Sequence, residues 1–315
     1  MSVSEVEGKM KHVYRFWVTI IAAMLLAACS SAYSEPLPTI HLQNLSPIPT
    51  VDAHVQPLRV AVAAIISPQG TLESYQPLLD YLSQELGRPV ELVQRRTYAE
   101  VNELVRRNEV DLAFVCTRAY VEGKREFGMQ LLAVPLVHGQ KVYYSKVIVR
   151  SDYPAKTFAD LRGAVFAFTD PLSNSGYLYP NVLLAQLGET PQSFFQRTFF
   201  TYSHDNAIRA VAEGVADAAA VDSMVLKYAL EREPGLKDKI RVIHTSQPFG
   251  MPPVVTGPNI RPQTKADLQR ILFTMHENPR GQQALKALEV DRFVEASDRD
   301  YDMIRDMIRL VQAGR

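Results

Sequence analysis

Past residue 57 the chain alternates short apolar runs with longer amphipathic stretches. Leu58 to Ile66 (LRVAVAAII) is apolar throughout, the pattern of a strand buried on both faces of a parallel sheet. Tyr75, Leu78, Leu79, Leu82 and Leu86 then recur on one helical face, and Gly87 supplies the stop. Val90 to Val93 is a second strand. Thr97-Tyr98-Ala99-Glu100 is a capping box opening a helix through Arg107, and Val110 to Val115 is a third strand. Alternation of this kind predicts an α/β protein with parallel-rich sheets flanked by helices.

The same pattern starts again further on. Lys141 to Arg150 (KVYYSKVIVR) reads as one long strand that crosses between lobes, and a second lobe is expected from Ser151. Thr157-Phe158-Ala159-Asp160 caps a short helix. Ala164 to Thr169, Arg197 to Tyr202, Ala216 to Val221 and Ile240 to His244 are further strands. Prolines 248, 252, 253 and 258 mark a return segment, and a capping box at Ser297 to Asp300 precedes a last amphipathic helix expected to pack on the first lobe. The predicted boundaries are 58–150 for the first part of lobe 1, 151–247 for lobe 2, and 248–315 for the return segment and the rest of lobe 1. Two lobes joined by a two-segment hinge enclose a cleft. Ligands in open α/β sheets bind beyond the carboxyl ends of the strands, and hinge closure is the natural motion.

The first 57 residues have a different character. Lys9, Lys11, His12 and Arg15 precede an apolar run from Phe16 to Ala28. The run is short for a membrane span, which needs about 20 residues, and suits the core of a signal peptide over residues 1–28, whether translation starts at Met1 or Met10. It ends in Leu26-Ala27-Ala28-Cys29, which resembles the lipobox of bacterial lipoproteins. That likeness implies cleavage before Cys29, a diacylglycerol on its thiol, and a lipid anchor in the membrane. Ser30 after the cysteine leans toward the outer membrane. Residues 29–57, rich in Ser and Pro, read as an extended tether.

The 315 residues carry 34 basic and 34 acidic side chains, a formal net charge of zero, and are 47% hydrophobic. That is ordinary globular composition. It provides no overall field to attract nucleic acid, so an anion site must be local. The two cysteines, Cys29 and Cys116, are too few for a disulfide framework. No Cys/His spacing suits a metal site, and no cofactor motif is present.

The most informative stretch is Asp170-Pro171-Leu172-Ser173-Asn174-Ser175-Gly176-Tyr177-Leu178-Tyr179-Pro180, between a predicted strand and a helix through Leu187. A helix start offers free N–H groups and partial positive charge to a tetrahedral oxyanion. Ser173 and Ser175 add hydroxyl donors, and Gly176 lets the backbone approach closely. One such residue is ordinarily just an N-cap; three hydroxyl or amide residues followed by Gly exceed what capping needs.

With Val110-Asp111-Leu112-Ala113-Phe114, Ala119-Tyr120, Tyr144 to Val149, Asp160-Leu161-Arg162-Gly163, Ser203-His204-Asp205 and Gly214 to Asp222, this loop resembles the periplasmic binding proteins of phosphate/phosphite/phosphonate ABC importers. The likeness runs from about Leu58 to Val311. It implies a two-lobed periplasmic binding protein of type II (Venus flytrap) architecture that captures a small oxyanion, delivers it to an ABC transporter permease and works as a monomer. It also implies that Ser173, Asn174, Ser175 and Gly176 hold the oxyanion, that Tyr98, Tyr144 and His204 contact it, and that Asp222 lies at the far side of the site. Asn174 stands where Thr is common, its amide still able to donate. Cys116-Thr117-Arg118 stands where Gly and Pro are usual, putting a cation near the rim of the cleft.

Each residue also has a plainer reading. Tyr98 is the first residue of a capped helix. Either Tyr143 or Tyr144 must face the cleft, because strand side chains alternate, and the likeness favours Tyr144. His204 and Asp222 could serve only as helix caps; bound to an anion, His204 is expected in its charged form, and Asp222 to meet an amino group on the ligand. Cys116 reads as a small buried hydrophobe. Two other functions compete: a ligand sensor reporting to a membrane kinase, and an exported hydrolase using Ser175, His204 and Asp222. No G-x-S-x-G elbow or H-E-x-x-H supports the hydrolase.

Overall fold

The computed structural model describes residues 56–313. The expected signal peptide, the lipidated Cys29 and most of the tether lie outside the described residues. The first sheet has the order β13-β4-β12-β3-β1-β2, with β1 Leu58–Val62, β2 Val90–Gln94, β3 Leu112–Phe114, β4 Gln130–Leu136, β12 Val254–Thr256 and β13 Arg292–Val294. β1 pairs in parallel with β2 and β3, whereas β12 returns antiparallel between β3 and β4. The helices α1 (Pro68–Leu86), α2 (Tyr98–Arg106) and α3 (Thr117–Phe127) follow the first three strands. Leu58, Val60, Leu78, Leu82 and Leu112 are fully buried between them, and Thr97 and Glu100 form the expected capping box.

The second sheet has the order β10-β6-β9-β7-β8. Its strands are β6 Ser145–Arg150, β7 Val165–Phe168, β8 Arg197–Phe200, β9 Ala218–Asp222 and β10 Ile240–Thr245. Around it lie α4 (Tyr179–Gln186), α5 (His204–Ala212) and α6 (Ser223–Arg232). Phe158, Phe166, Phe168, Phe194 and Phe195 stack within its core. β7 pairs in parallel with β8 and β9, and β6 runs antiparallel to β9 and β10. β6 therefore belongs to the second lobe, whose sheet begins at Ser145 and not after Arg150.

The long strand expected at 141–150 is broken. β5 (Val142–Tyr143) pairs antiparallel with β11 (Phe249–Gly250) in a ribbon of its own between the two sheets, and β6 starts one residue later. The break frees Tyr143 to point away from the second sheet, and its ring is 1% exposed against Phe249. The remaining chain adds α7 (Pro262–Thr274) and α8 (Pro279–Ala287) to the first lobe. The last helix, α9 (Asp302–Ala313), is the one expected to pack on lobe 1. It packs on α3 of lobe 1 and also on α4 of lobe 2, with Ile304 and Met307 in one cluster with Tyr120, Leu178 and Val182. No helix among the described residues is long and apolar enough to cross a membrane.

Candidate functional site

The loop picked out by sequence leaves β7 through Thr169 and Asp170, both buried. The Asp170 carboxylate accepts from Leu172 N–H at 2.7 Å and, across the cleft, from Tyr98 N–H at 3.1 Å. Ser173 caps the following helix, its Oγ accepting from Gly176 N–H at 3.0 Å. The helix starts with one wide turn. Leu178 N–H bonds the Ser173 carbonyl and Tyr179 N–H the Asn174 carbonyl, each five residues back, before the chain tightens into α4. Such a start leaves the N–H groups of residues 174–177 without a partner inside the helix. Asn174 N–H goes to Cys116 Sγ at 3.3 Å and Gly176 N–H to the cap, so Ser175 and Tyr177 keep the donors available to another acceptor.

Gly176 is required by packing. A Cβ there would stand 1.9 Å from Thr169 Oγ1, so the first turn can press on the end of β7 only without a side chain.

Groups from the other lobe and the hinge close over this turn. The Arg118 guanidinium donates to the Pro171 carbonyl at 2.7 Å and lies 5.7 Å from the centre of the Tyr177 ring. The Tyr143 hydroxyl lies 2.9 Å from Thr117 Oγ1 and accepts from Asn174 Nδ2 at 2.9 Å. Ser145 Oγ donates to the Ser175 carbonyl at 2.7 Å. Four polar atoms around this turn are buried without a protein partner: Tyr98 Oη, Thr169 Oγ1, Asn174 Oδ1 and Ser175 Oγ. Tyr98 is held neutral chiefly by burial, and Cys116, Asp170, Asp222 and Tyr143 are near enough for their charges to oppose its ionisation further.

His204 opens α5 behind its cap Ser203. Its N–H donates to the Ile65 carbonyl of lobe 1 at 2.9 Å, and its Nδ1 accepts from Asp222 N–H at 3.0 Å. The ring proton is therefore on Nε2. Burial pushes the imidazole pKa down to about 3, so the protein's own surroundings favour the neutral ring. Asp222 ends β9 and caps α6, one carboxylate oxygen accepting from Met224 N–H at 2.7 Å and Val225 N–H at 3.4 Å. Burial pushes its carboxyl up to about 7 against those hydrogen bonds.

One expectation changes with these positions. The strand break turns Tyr143, and not Tyr144, onto the loop. Tyr144 instead pairs through its backbone with Ser223 and has the Lys146 ammonium 5.5 Å from its ring centre. Asn174 keeps one side-chain N–H for an incoming anion; the other goes to the Tyr143 hydroxyl and its backbone N–H to Cys116. Cys116 is buried as expected, its thiol pKa raised mainly by burial, but it also anchors the loop. Sequence reasoning missed Asp170, Ser145 and Thr117, and of the two tyrosines it offered it preferred Tyr144 to Tyr143. The Asp-Pro pair opening the loop was a usable signal for Asp170; the roles of the other three depend on the hinge break, which hydrophobic pattern does not reveal.

The two lobes are drawn together around the site. Ser67 N–H donates to both carboxylate oxygens of Asp205 at 3.1 Å, Lys227 pairs with Glu289 at 2.9 Å, and Arg232 pairs with Glu73 at 3.0 Å.

Two α/β sheets joined by a two-stranded ribbon, with a helix start aimed into the gap, define a two-lobed solute-binding protein. Solved structures share this architecture. A binding protein component of an ABC phosphonate transporter from Pseudomonas aeruginosa superposes with a TM-score of 0.78 at 24% identity, over 82% of this chain and 88% of that one. PhnD1 from Prochlorococcus marinus, in complex with methylphosphonate, gives 0.74 at 18% identity over 81% and 98%. In sequence, the phosphate-import protein PhnD of Mycolicibacterium smegmatis is 30% identical over 221 residues; the match covers 67% of this chain and 65% of that protein. The family model for the periplasmic substrate-binding protein of phosphonate ABC transporters matches residues 60–301. The chain belongs to that family.

Proposed function

We propose that this protein captures a phosphonate, phosphite or phosphate-like anion between its lobes and delivers it to the permease of an ABC importer, acting as a monomer. The observation that carries the reading is Ser175. It is 1% exposed on the first turn of a helix, its hydroxyl has no protein partner, and its N–H is unused. Leaving a buried polar group unpaired costs about 1–3 kcal/mol, which a bound oxyanion would offset. Tyr98 Oη and His204 Nε2 add neutral donors. Ser173 shapes the turn as its cap, Asn174 ties it to lobe 1, and Gly176 lets it close on Thr169. Tyr144 and Asp222 flank the start of α6. The names of the mycobacterial and Prochlorococcus proteins, one importing phosphate and one holding methylphosphonate, point to the same class of anion.

The hydrolase reading has little support in this geometry. His204 Nδ1 accepts the Asp222 N–H, while the Asp222 carboxylate caps α6. A Ser-His-Asp relay instead needs that nitrogen to donate to the carboxylate.

The reading is tested by thermal shift with methylphosphonate, phosphite, phosphate and sulfate. At 100 times Kd a ligand adds about 2.7 kcal/mol of stability, so the melting temperature should rise with at least one phosphorus oxyanion, and the rise should fall to about half or less in Ser175→Ala. No shift with any of them would refute the proposal. We further propose export and lipid anchoring through Cys29, with the outer membrane as destination. A wild-type protein in the membrane fraction and a soluble Cys29→Ser variant are the expected results; an equal distribution of the two would overturn it.

A further inference from the structure

Near the anion turn the lobes border a second, half-open space that the proposed function does not use. It is a cavity of about 180 Å³ walled by both lobes, with Ile65, Phe114 and Phe293 from lobe 1, Met224 and Val225 from lobe 2, and Pro252 from the return segment. Asp222 also lines it, and the same residue receives the His204 ring through its N–H. Val115 forms part of the wall, and the next residue, Cys116, accepts from Asn174 N–H of the anion turn. The cavity is therefore one hydrogen bond from His204 and one chain residue from the Cys116 contact of the anion turn.

Its chemistry is one-sided. Lys227 and Glu289, at its edge, pair with each other at 2.9 Å. The Asp222 carboxylate is already accepting two N–H groups of α6. An ammonium group needs several acceptors once out of water; besides Asp222 these walls offer the hydroxyls of Ser74 and Tyr228, 3.5 Å apart, the second already accepting from Arg232. A hydrocarbon group needs none, and an apolar cavity of about 150 Å³ is large enough for benzene.

We infer that the anion bound by this protein carries an apolar substituent, a short alkyl or aryl group on phosphorus, seated in this cavity. The inference rests on the proposed phosphonate site and specifies its ligand class. It also replaces the expectation that Asp222 meets an amino group.

The test is a calorimetric series of methylphosphonate, propylphosphonate, butylphosphonate, phenylphosphonate and 2-aminoethylphosphonate on the wild-type protein and on Leu288→Trp. Leu288 is a half-buried wall residue, distant in sequence from the anion turn, and a larger ring there narrows the cavity. Each buried methylene should tighten binding about fourfold, so butylphosphonate should bind tens of times more tightly than methylphosphonate, and the aminoethyl compound more weakly than propylphosphonate. In Leu288→Trp the advantage of the longer groups should shrink while methylphosphonate affinity holds. Methylphosphonate binding with no gain along the series, or a preference for the aminoethyl compound, would overturn this inference and leave the anion site standing. Equal loss of every ligand in Leu288→Trp, in a variant that still melts cooperatively, would also overturn it. Failure of every compound to bind the wild type would remove the proposed function itself.

Discussion

Replacing Gly176 by alanine tests whether the anion turn works by close approach. The added Cβ would lie 1.9, 2.7 and 2.8 Å from Oγ1, Cγ2 and Cβ of Thr169. Carbon contacts are comfortable near 3.5–4.0 Å, so the turn must lift from β7 by roughly 1 Å or more, because Thr169 is fully buried and has no room to yield. Overpacking of this kind costs about 1–3 kcal/mol of stability, visible as a lower urea midpoint. The larger effect is expected on binding. Lifting the turn misplaces the Ser175 and Tyr177 N–H groups, and losing one or two hydrogen bonds to a charged ligand, about 2–4 kcal/mol, raises Kd roughly 30- to 1,000-fold. Thr169→Ala removes two of the three clashing atoms and forfeits no protein hydrogen bond, since Thr169 Oγ1 has no partner. In the double variant part of the lost affinity should return, a non-additivity expected only for groups in contact. Calorimetry with methylphosphonate on all four proteins measures it. Wild-type affinity in Gly176→Ala, or no recovery in the double variant, would refute the close-approach argument.

Other substitutions separate binding from folding. Ser175→Ala should leave the ligand-free melting temperature unchanged or slightly raised while weakening anion binding by about 1.5–3 kcal/mol, because its hydroxyl bonds nothing in the protein; a large loss of ligand-free stability would contradict this. Tyr98→Phe should behave in the same way, and a variant with unaltered affinity would remove its hydroxyl from the site. The pH dependence of stability should change in Asp222→Asn. His204, with a folded pKa of about 3 against an ordinary 6.5, binds fewer protons folded than unfolded in that window, so its contribution rises with pH. Asp222, at about 7 against 3.8, binds more protons folded, so its contribution falls as pH rises through that window. The two oppose each other between about pH 4 and 6.5, and removing Asp222 should uncover a rising slope of up to about 1.4 kcal/mol per pH unit. Asparagine can still cap α6. Urea titrations at three pH values with parallel wild-type and variant slopes would exclude this pairing.

Much of the fold could be read from the chain because its strands are buried on both sides. Runs such as 165–168 and 218–221 are apolar without interruption, and capping residues such as Thr97 mark where helices begin. Reading failed where tertiary pairing overrides local pattern. Lys141–Arg150 has the β-rich composition of one strand, yet Val142 and Tyr143 pair with Gly250 and Phe249 while Ser145 onward pairs with β9. That single break decides which tyrosine meets the loop. Of the loop itself, the location and the role of Ser173 as a cap were legible, since both follow from local rules. The commitment of Asn174 to Cys116 and Tyr143 was not, because its partners lie 58 and 31 residues away.

On the proposed function, the site builds anion affinity into a chain of zero net charge by geometry. Three helices of lobe 2 start at the cleft, behind Ser173, Ser203 and Asp222, and each start carries partial positive charge. At each one a side chain of the cap accepts N–H groups of the first turn, but at the first the wide turn leaves more donors than the cap can use. The excess is held open by contacts from the opposite lobe, which engages Pro171 through Arg118, Asp170 through the Tyr98 N–H and Asn174 through Cys116. These contacts touch the turn only when the lobes are together, so closure and the final shape of the anion site are one event. Binding energy from the oxyanion is thereby coupled to the position of the lobes, the feature a permease would need in order to distinguish a loaded protein from an empty one.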